Sequence, residues 1–541
     1  MRIFRLLLAA VCLLLAFQPV NAGDLLPAEQ SIDRAINHYV QELLQKDHLQ
    51  PAALADDATI IRRLTLDLVG RIPTPAETQA YVDSKDSNKK IQLVDHLMAS
   101  PGFIRHQAAQ FDAMMAPTGN PGSGRLSAYF NEALKANKSW KQIFQDLLLP
   151  NENDPKQKGS IEFLKARVSD LDRLTIDVSV LFFGVNVSCA QCHNHPLVQD
   201  WKQDHFYGMK SFFIRTVDNG GTIAEKEFGQ LKFKPNKGSE KPATPLFLSG
   251  DKIELANFRE PTSEEQKKDK ERLEKNKANK TAPTPPAVSA RAKLFEVALK
   301  PGNSQFFNKA IVNRLWHRFF GYGLVTPLDQ MHSENPPNHP DLLEWLARDM
   351  VGHNYDLKRL IRGIVLSEPY ARSSQYAGTA PPDPKYFAVA RLKALTPMQY
   401  AVSLKIATTD PASFEKQKPE ALEKKIEQLE GAARGFASLI AMPSDDFQIG
   451  VNEALLFSNN GRVVGDFLGE GQGTLIARMM GSPDSKQAIE LAVRSIFCRP
   501  ATNEEIQLFA DYLQKRTDRS KEAYRQLVWA MISSAELRFN Y

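Results

Sequence analysis

Apolar residues recur at spacings of three and four along most of the chain. In the first such stretch, Ile32, Ile36, Val40 and Leu44 follow one another at four-residue intervals. This period places the apolar side chains on one face of an α-helix. The same kind of pattern predicts further helices at residues 60–69, 77–82, 91–98, 168–182, 289–299 and 305–320. The chain is therefore predicted to be mainly α-helical.

Residues typical of helix starts support two more helices in the second half. Thr396 and Gln399 have the spacing of a capping box, and Pro397 between them suits the first helical turn. Thr502 and Glu505 repeat the capping-box spacing near the end of the chain. We therefore predict helices that begin directly after Thr396 and after Thr502.

The stretch at residues 216–288 differs from the rest of the chain. Residues 228–234 and 245–248 have the composition of short strands, which could form a hairpin. Residues 263–280 are almost all charged or amide-bearing, and a proline-rich run at 281–286 follows them. Because such runs cannot bury a core, we predict a disordered, exposed linker here.

These patterns divide the chain into four parts. An N-terminal segment at residues 1–22 precedes a helical domain at 28–215. The small β insertion with its charged and proline-rich linker covers 216–288, and a second helical domain covers 289–541. The predicted architecture is therefore multi-helix and two-domain.

The N-terminal segment has the features of a secretory signal peptide. Arg2 and Arg5 precede an apolar stretch at residues 6–17, and Ala22 ends a run suited to signal peptidase. The stretch is short for a membrane span, although an uncleaved anchor is the alternative. We predict export to the periplasm or cell envelope, with no transmembrane span in the mature chain.

The charge balance argues against a nucleic-acid partner. The chain has 68 Lys and Arg against 63 Asp and Glu, which gives a formal net charge of +5. No segment concentrates the positive charge without interleaved acids, so no basic binding face is predicted.

One short motif has the spacing of a covalent haem site. Cys189 and Cys192 lie three residues apart, and His193 follows at once. Two such thiols can form thioethers with the two vinyl groups of a porphyrin, and the imidazole can bind the iron. With 4 Cys and 11 His in 541 residues, chance predicts far fewer than one such motif. We therefore predict c-type haem (haem c) on Cys189, Cys192 and His193, in a loop after the helix that Gly184 ends.

The sixth iron ligand is less apparent. His195 is only two residues beyond His193, whereas His205 and Met209 lie further along and could fold back. A haem also needs apolar surroundings. Candidate pocket residues, which could equally be ordinary helical core, are Leu197, Trp201, Phe206, Tyr207, Phe212 and Phe213.

Two other interpretations of the motif remain open. One is a tetrahedral zinc site, with two thiolates and two imidazoles as ligands, formed by Cys189, Cys192, His195 and His205. The two thiols could also form a redox-active disulfide, although the expected βαβ context is missing. Three cysteines remain after removal of the signal peptide. Apart from Cys189 and Cys192 the third is Cys498, and its apolar surroundings predict a buried thiol.

Four ordered stretches carry a resemblance to known families. They are residues 60–75, residues 183–196, residues 312–325 and residues 335–346. The first half resembles the planctomycete-type cytochrome c-like domain of unknown function. The second half resembles the planctomycete-specific domain of unknown function that usually follows it. The resemblance implies a haem-binding first domain and no settled activity for the second.

We predict electron transfer by a single haem, which would serve a redox partner protein. The chain has no Gly-x-Ser-x-Gly elbow, no Walker-type loop and no dinucleotide fingerprint, and no catalytic residue is assigned. A carrier or binding protein is therefore favoured over a self-contained enzyme. The alternative is a structural or interaction protein of the cell envelope, whose Cys-His site binds zinc or another metal or is only structural.

Overall fold

A computed structural model describes residues 25–116, 125–195, 197–279, 283–443 and 450–541. This part of the chain contains 25 α-helices and three two-stranded sheets, with 58% helix and 4% strand. The prediction of a mainly α fold is therefore confirmed. The predicted signal peptide at 1–22 lies outside the described residues.

Ten helices precede the first strand. They are α1 (Ile32–Lys46), α2 (Asp57–Val69), α3 (Pro75–Asp83), α4 (Lys89–Ala99), α5 (Pro101–Met115), α6 (Ser127–Lys135), α7 (Trp140–Leu148), α8 (Glu162–Lys165), α9 (Leu171–Phe183) and α10 (Gln203–Ser211). The apolar stripes noted above coincide with α1, α2 and α9, so the helical period located these elements correctly.

Two small sheets and a charged helix follow. Antiparallel strands β1 (Thr216–Asp218) and β2 (Ile223–Glu225) form the first sheet, and β3 (Lys232–Phe233) and β4 (Lys241–Pro242) form the second. The predicted strand at 228–234 thus overlaps β3. Its partner is β4, however, and not residues 245–248, where the structure has only an isolated bridge between Leu246 and Lys252.

The charged run is a helix, so the prediction of a disordered linker was wrong there. Helix α11 (Ser263–Asn279) has no buried residue. Lysine and glutamate favour helix formation, and pairs such as Lys268–Glu264 at 2.6 Å stabilise adjacent turns. Arg272 also donates to the Glu225 carbonyl at 2.9 Å, which attaches the helix to the first sheet.

The second half is again helical. Its elements are α12 (Ala290–Ala298), α13 (Ser304–Phe320), α14 (Pro340–Gly352), α15 (Leu357–Leu366), α16 (Glu368–Ala371), β5 (Lys393–Ala394), α17 (Pro397–Thr408), α18 (Pro419–Ala437), α19 (Val451–Asn459), α20 (Gly461–Phe467), α21 (Leu475–Met480), α22 (Ser485–Phe497), α23 (Asn503–Gln514), α24 (Ser520–Ile532), α25 (Ala535–Arg538) and β6 (Phe539–Asn540). Strands β5 and β6 pair antiparallel. Both predicted capping boxes, at Thr396 and Thr502, are confirmed.

The buried apolar residues form two clusters. The larger cluster runs from Ile32 to Ala388 and joins α1, α9 and α13, and within it the Trp140 ring contacts the rings of Phe182 and Phe307. The smaller cluster runs from Leu395 to Leu537 and also takes in Leu66 and Ile72 from the first half. The larger cluster thus contains residues of both halves, and the smaller cluster takes two residues from the first half. The predicted domain bounds themselves stay a prediction.

A buried polar group joins three distant parts of the chain. The Asp67 carboxylate on α2 accepts hydrogen bonds from Lys393 at 2.9 Å, from Tyr370 at 2.8 Å and from Asn540 at 2.9 Å. Its side chain is 9% exposed. Because a buried carboxylate needs such partners, this contact fixes β5 and β6 against α2.

Candidate functional site

The Cys-Ala-Gln-Cys-His motif lies on a short turn that the second half of the chain holds in place. Helix α9 ends at Gly184, whose φ of +69° is the left-handed conformation favoured by glycine. Beyond it, the Met331 N–H donates to the Gly184 carbonyl at 3.0 Å, and the Asn186 N–H donates to the Asp329 carbonyl at 2.8 Å. The motif turn, which we define as residues 188–193, therefore begins from a backbone pairing between distant segments.

Helix α10 holds the other side of the motif turn. The Gln203 amide donates to the Cys192 carbonyl at 3.0 Å, and the Tyr207 hydroxyl donates to the Gln191 carbonyl at 3.2 Å. The Gln191 amide in turn donates to the Asp172 carboxylate at 3.0 Å. These bonds fix the backbone of the turn and leave its reactive side chains unused.

The thiols of the turn differ from the third described thiol. Cys189 and Cys192 are free and exposed. Cys498, by contrast, is buried at the end of α22, and burial raises the pKa of its thiol to about 12. The prediction of a buried Cys498 is confirmed, and the two thiols open to chemistry are those of the motif.

The histidine of the motif presents the ring nitrogen that a metal requires. His193 is exposed, and its Nδ1 lies 2.7 Å from the Asn194 carbonyl oxygen. A carbonyl oxygen can only accept, so Nδ1 carries the proton. In the neutral ring the lone pair is then on Nε2. Metal-binding histidines commonly have this arrangement, with the second nitrogen donating to a carbonyl.

His195 and His205 have the opposite arrangement. The His195 Nδ1 accepts the Val198 N–H at 3.0 Å, and the His205 Nδ1 accepts the Lys202 N–H at 3.1 Å. Each neutral ring therefore carries its proton on Nε2. To bind a metal through Nε2, either ring would have to release its backbone donor and move that proton.

The remaining predicted ligand and pocket residues lie mostly in the core. Met209 on α10 has 0% exposure within the larger apolar cluster, so binding an iron would require it to leave that packing. Trp201, Phe206, Phe212 and Phe213 are also buried there, while Tyr207 stacks on Phe233 with ring centroids 4.1 Å apart. Leu197 is 80% exposed.

The described residues do not assemble the predicted zinc ligands. Within them, no group of three or more His, Cys, Asp or Glu side chains is placed to hold a metal ion. The arrangement with Cys189, Cys192, His195 and His205 thus gains no support from the fold. The side chains on the motif turn itself, two exposed thiols and an imidazole with a free Nε2, are of the types that haem attachment uses.

A cavity of about 670 Å³ has walls from both halves of the chain. Trp201 and His205 line one side, and Phe306 from α13 with Met331 and His332 from the loop before α14 line another. The motif residues themselves do not line it. The sequence pattern gives no signal for this cavity, because its walls come from segments about 100 residues apart.

Comparison with protein families finds one match in each half of the chain. Residues 35–218 match PSCyt2, a protein of unknown function (DUF1549), and residues 290–434 match PSD1, a protein of unknown function (DUF1553). The chain carries both domains, in this order. The resemblance predicted from the sequence is therefore confirmed. No curated protein and no solved structure matches the chain.

The PSCyt2 and PSD1 domains meet at this site. The motif turn lies within PSCyt2, whereas Asp329 and Met331, which pair with its base, lie within PSD1. The cavity likewise takes walls from both domains. Across the part of the chain that the structure describes, no helix is long and apolar enough to cross a membrane.

Proposed function

We propose that the chain is an exported electron carrier that holds one c-type haem covalently. Cys189 and Cys192 would form the two thioethers, and His193 would bind the iron. When bound, such a haem supplies a one-electron couple between ferric and ferrous iron. The partner would be a redox protein that meets the exposed side of the motif turn.

The state of His193 carries this proposal. Of the three histidines considered as ligands, His193 has its Nδ1 beside a carbonyl oxygen, whereas His195 and His205 accept through Nδ1. The ring that follows the two thiols is thus the ring whose Nε2 is free to bind iron. The spacing of the motif and the tautomer of its histidine support the same assignment independently.

The surroundings of the turn suit a fixed attachment point. Gln203 and Tyr207 bond to carbonyl groups of the turn and not to its thiols, so both thiols can react without loss of these bonds. The Asn194 carbonyl would hold the His193 ring in one orientation. Both effects keep the ligands in place while an electron enters or leaves.

The test is production of the full chain together with haem-maturation proteins in the periplasm. We expect a Soret band, haem that stays with the polypeptide after denaturation, and an added mass equal to that of one haem. The Cys189→Ser/Cys192→Ser double variant should lose covalent haem. Cys498→Ser, which changes the buried third thiol, is the matched control and should retain it.

His193→Ala should keep the thioethers but change the iron spectrum, because the proximal ligand is removed. A colourless product with stoichiometric zinc would contradict the proposal and favour the metal-binding envelope protein. A colourless, metal-free protein whose double cysteine variant folds and localises normally would favour the purely structural alternative.

A further inference from the structure

The side chains around the motif turn decide what else could bind an iron held by His193. Histidine and methionine are the side chains that hold the iron in cytochromes c. The segments that contact the motif turn or its base are α9, α10 with the loop before it, and the loop at residues 326–335. Besides His193, their described histidines and methionines are His195, His205, Met209, Met331 and His332. Each of them is engaged in a different contact.

His195 lies too close to His193 in sequence to bind the opposite face of the same iron. The Cα atoms of residues i and i+2 are at most about 7 Å apart, whereas two imidazoles on opposite faces of one iron hold their Cα atoms considerably further apart. The His195 Nδ1 also accepts the N–H groups of Leu197 at 3.3 Å and Val198 at 3.0 Å. The ring is therefore committed to the backbone that follows it.

The rings of His205 and His332 both carry their proton on Nε2. The His205 Nδ1 accepts the Lys202 N–H at 3.1 Å, which places the proton of the neutral ring on Nε2. The His332 Nε2 lies 3.2 Å from the side-chain oxygen of Gln330, to which it donates, and its Nδ1 is buried. A protonated nitrogen has no lone pair for a metal, so neither Nε2 can bind iron in this arrangement.

The two methionines are held by packing. Met209 on α10 is 0% exposed within the larger apolar cluster. Met331 packs on Gly184, where a Cβ would lie 2.6 Å from its sulfur, and its N–H donates to the Gly184 carbonyl at 3.0 Å. Withdrawing a packed side chain is costly because its neighbours refill the space only in part. Both thioethers therefore stay where they are.

The motif turn itself lies open to solvent. Cys189, Cys192 and His193 are all exposed, and Leu197 nearby is 80% exposed. Small solutes can therefore reach the side chains that would hold the haem.

We propose that a haem on Cys189, Cys192 and His193 receives no second axial ligand from this chain and therefore binds small molecules at its iron. This inference rests on the proposed function, and it adds ligand binding to electron transfer. The ligands are small molecules that donate a lone pair to iron. Carbon monoxide is the probe for the ferrous state, and imidazole is the probe for the ferric state.

The first test is the spin state of the ferric haem protein. The full chain is produced with covalent haem and without a polyhistidine tag, because a tag could itself bind the iron. Electron paramagnetic resonance at neutral pH should show high-spin iron, since water is a weaker ligand than a second imidazole or a thioether. Added imidazole should convert it to low spin. A low-spin ferric form before imidazole is added would overturn the inference.

The second test is the rate at which the ferrous protein binds carbon monoxide after rapid mixing. The observed rate should rise linearly with the carbon monoxide concentration, because no side chain has to leave the iron first. A rate that reaches a plateau would show that an internal ligand leaves before binding, and it would also overturn the inference.

Two variants address individual side chains. His205→Leu and Met209→Leu each remove a possible donor and should leave the spin state and the carbon monoxide rate unchanged. His38→Leu, on the exposed face of α1, is the matched control. A changed spin state or a faster rate in His205→Leu or Met209→Leu, but not in His38→Leu, would identify a second ligand and contradict the inference. Circular dichroism shows whether each variant has folded.

The outcomes separate this inference from the proposed function. A product without covalent haem would overturn both. A product that carries covalent haem but has low-spin iron would overturn this inference alone and leave the electron carrier intact.

Discussion

Replacing Gly184 by alanine tests the contact between the start of the motif turn and Met331 of the PSD1 domain. Gly184 has φ +69°, and a Cβ built on it would lie 2.6 Å from the Met331 sulfur. The substitution therefore has two effects. It puts a residue that has a Cβ into the left-handed conformation, and it displaces the Met331 side chain. Gly321 provides a matched control. It ends α13 with φ +70°, and its Cβ would meet Lys393 at an ordinary 3.5 Å.

The magnitude follows from separating these two effects. A left-handed conformation costs a residue other than glycine about 1–2 kcal/mol, and both alanine variants carry this cost. Moving Met331 out of a packed position adds about 1–3 kcal/mol at Gly184 alone. We therefore expect Gly184→Ala to lower the free energy of unfolding by about 2–5 kcal/mol, and Gly321→Ala by about 1–2 kcal/mol.

The assay is urea unfolding of the full chain, followed by tryptophan fluorescence and far-ultraviolet circular dichroism. A double-mutant cycle with Met331→Ala isolates the contact, because the shortened side chain no longer meets the new Cβ. In that background, Gly184→Ala should cost about as much as Gly321→Ala. Equal losses at the two glycines in the parent protein would refute the reasoning, as would an unchanged cost of Gly184→Ala when Met331 is already alanine.

Two further substitutions test buried charge and buried histidine. Lys393→Met should lower the free energy of unfolding by about 2–4 kcal/mol, because it leaves the Asp67 carboxylate buried without its cation. Lys135→Met, in the exposed pair on α6, should lower it by less than about 1 kcal/mol. Similar losses for the two variants in urea unfolding would contradict this. Burial lowers the pKa of His339 to about 4, against about 6.5 in an unfolded chain, so between these values the unfolded chain binds a proton that the fold excludes. Stability should therefore fall by roughly 3 kcal/mol as the pH drops from about 6.5 to about 4, and His339→Gln, unlike the exposed control His38→Gln, should flatten this dependence in a series of urea titrations. An unchanged slope in His339→Gln would show that other groups control it.

Some features of the fold could be predicted because neighbouring residues alone determine them. The stripe through Ile32 and Ile36 gave α1, and the Thr396 and Thr502 capping boxes gave the starts of α17 and α23. The prediction of disorder at 263–280 was wrong because residues that bury no core can still have high helix propensity. The i,i+4 ion pairs of this run and its contact with the first sheet hold it as α11.

The sequence by itself determined many of the helices of this protein and the side chains of its candidate site. Helical period, caps and the spacing of Cys189, Cys192 and His193 are local properties, so they can be read along the chain. Only the tertiary structure decided which histidine presents a free Nε2, since that depends on which backbone group each Nδ1 meets. It also decided that Met209 lies in the core and that PSCyt2 and PSD1 enclose a cavity, because burial and cavity walls arise from packing between segments far apart in sequence.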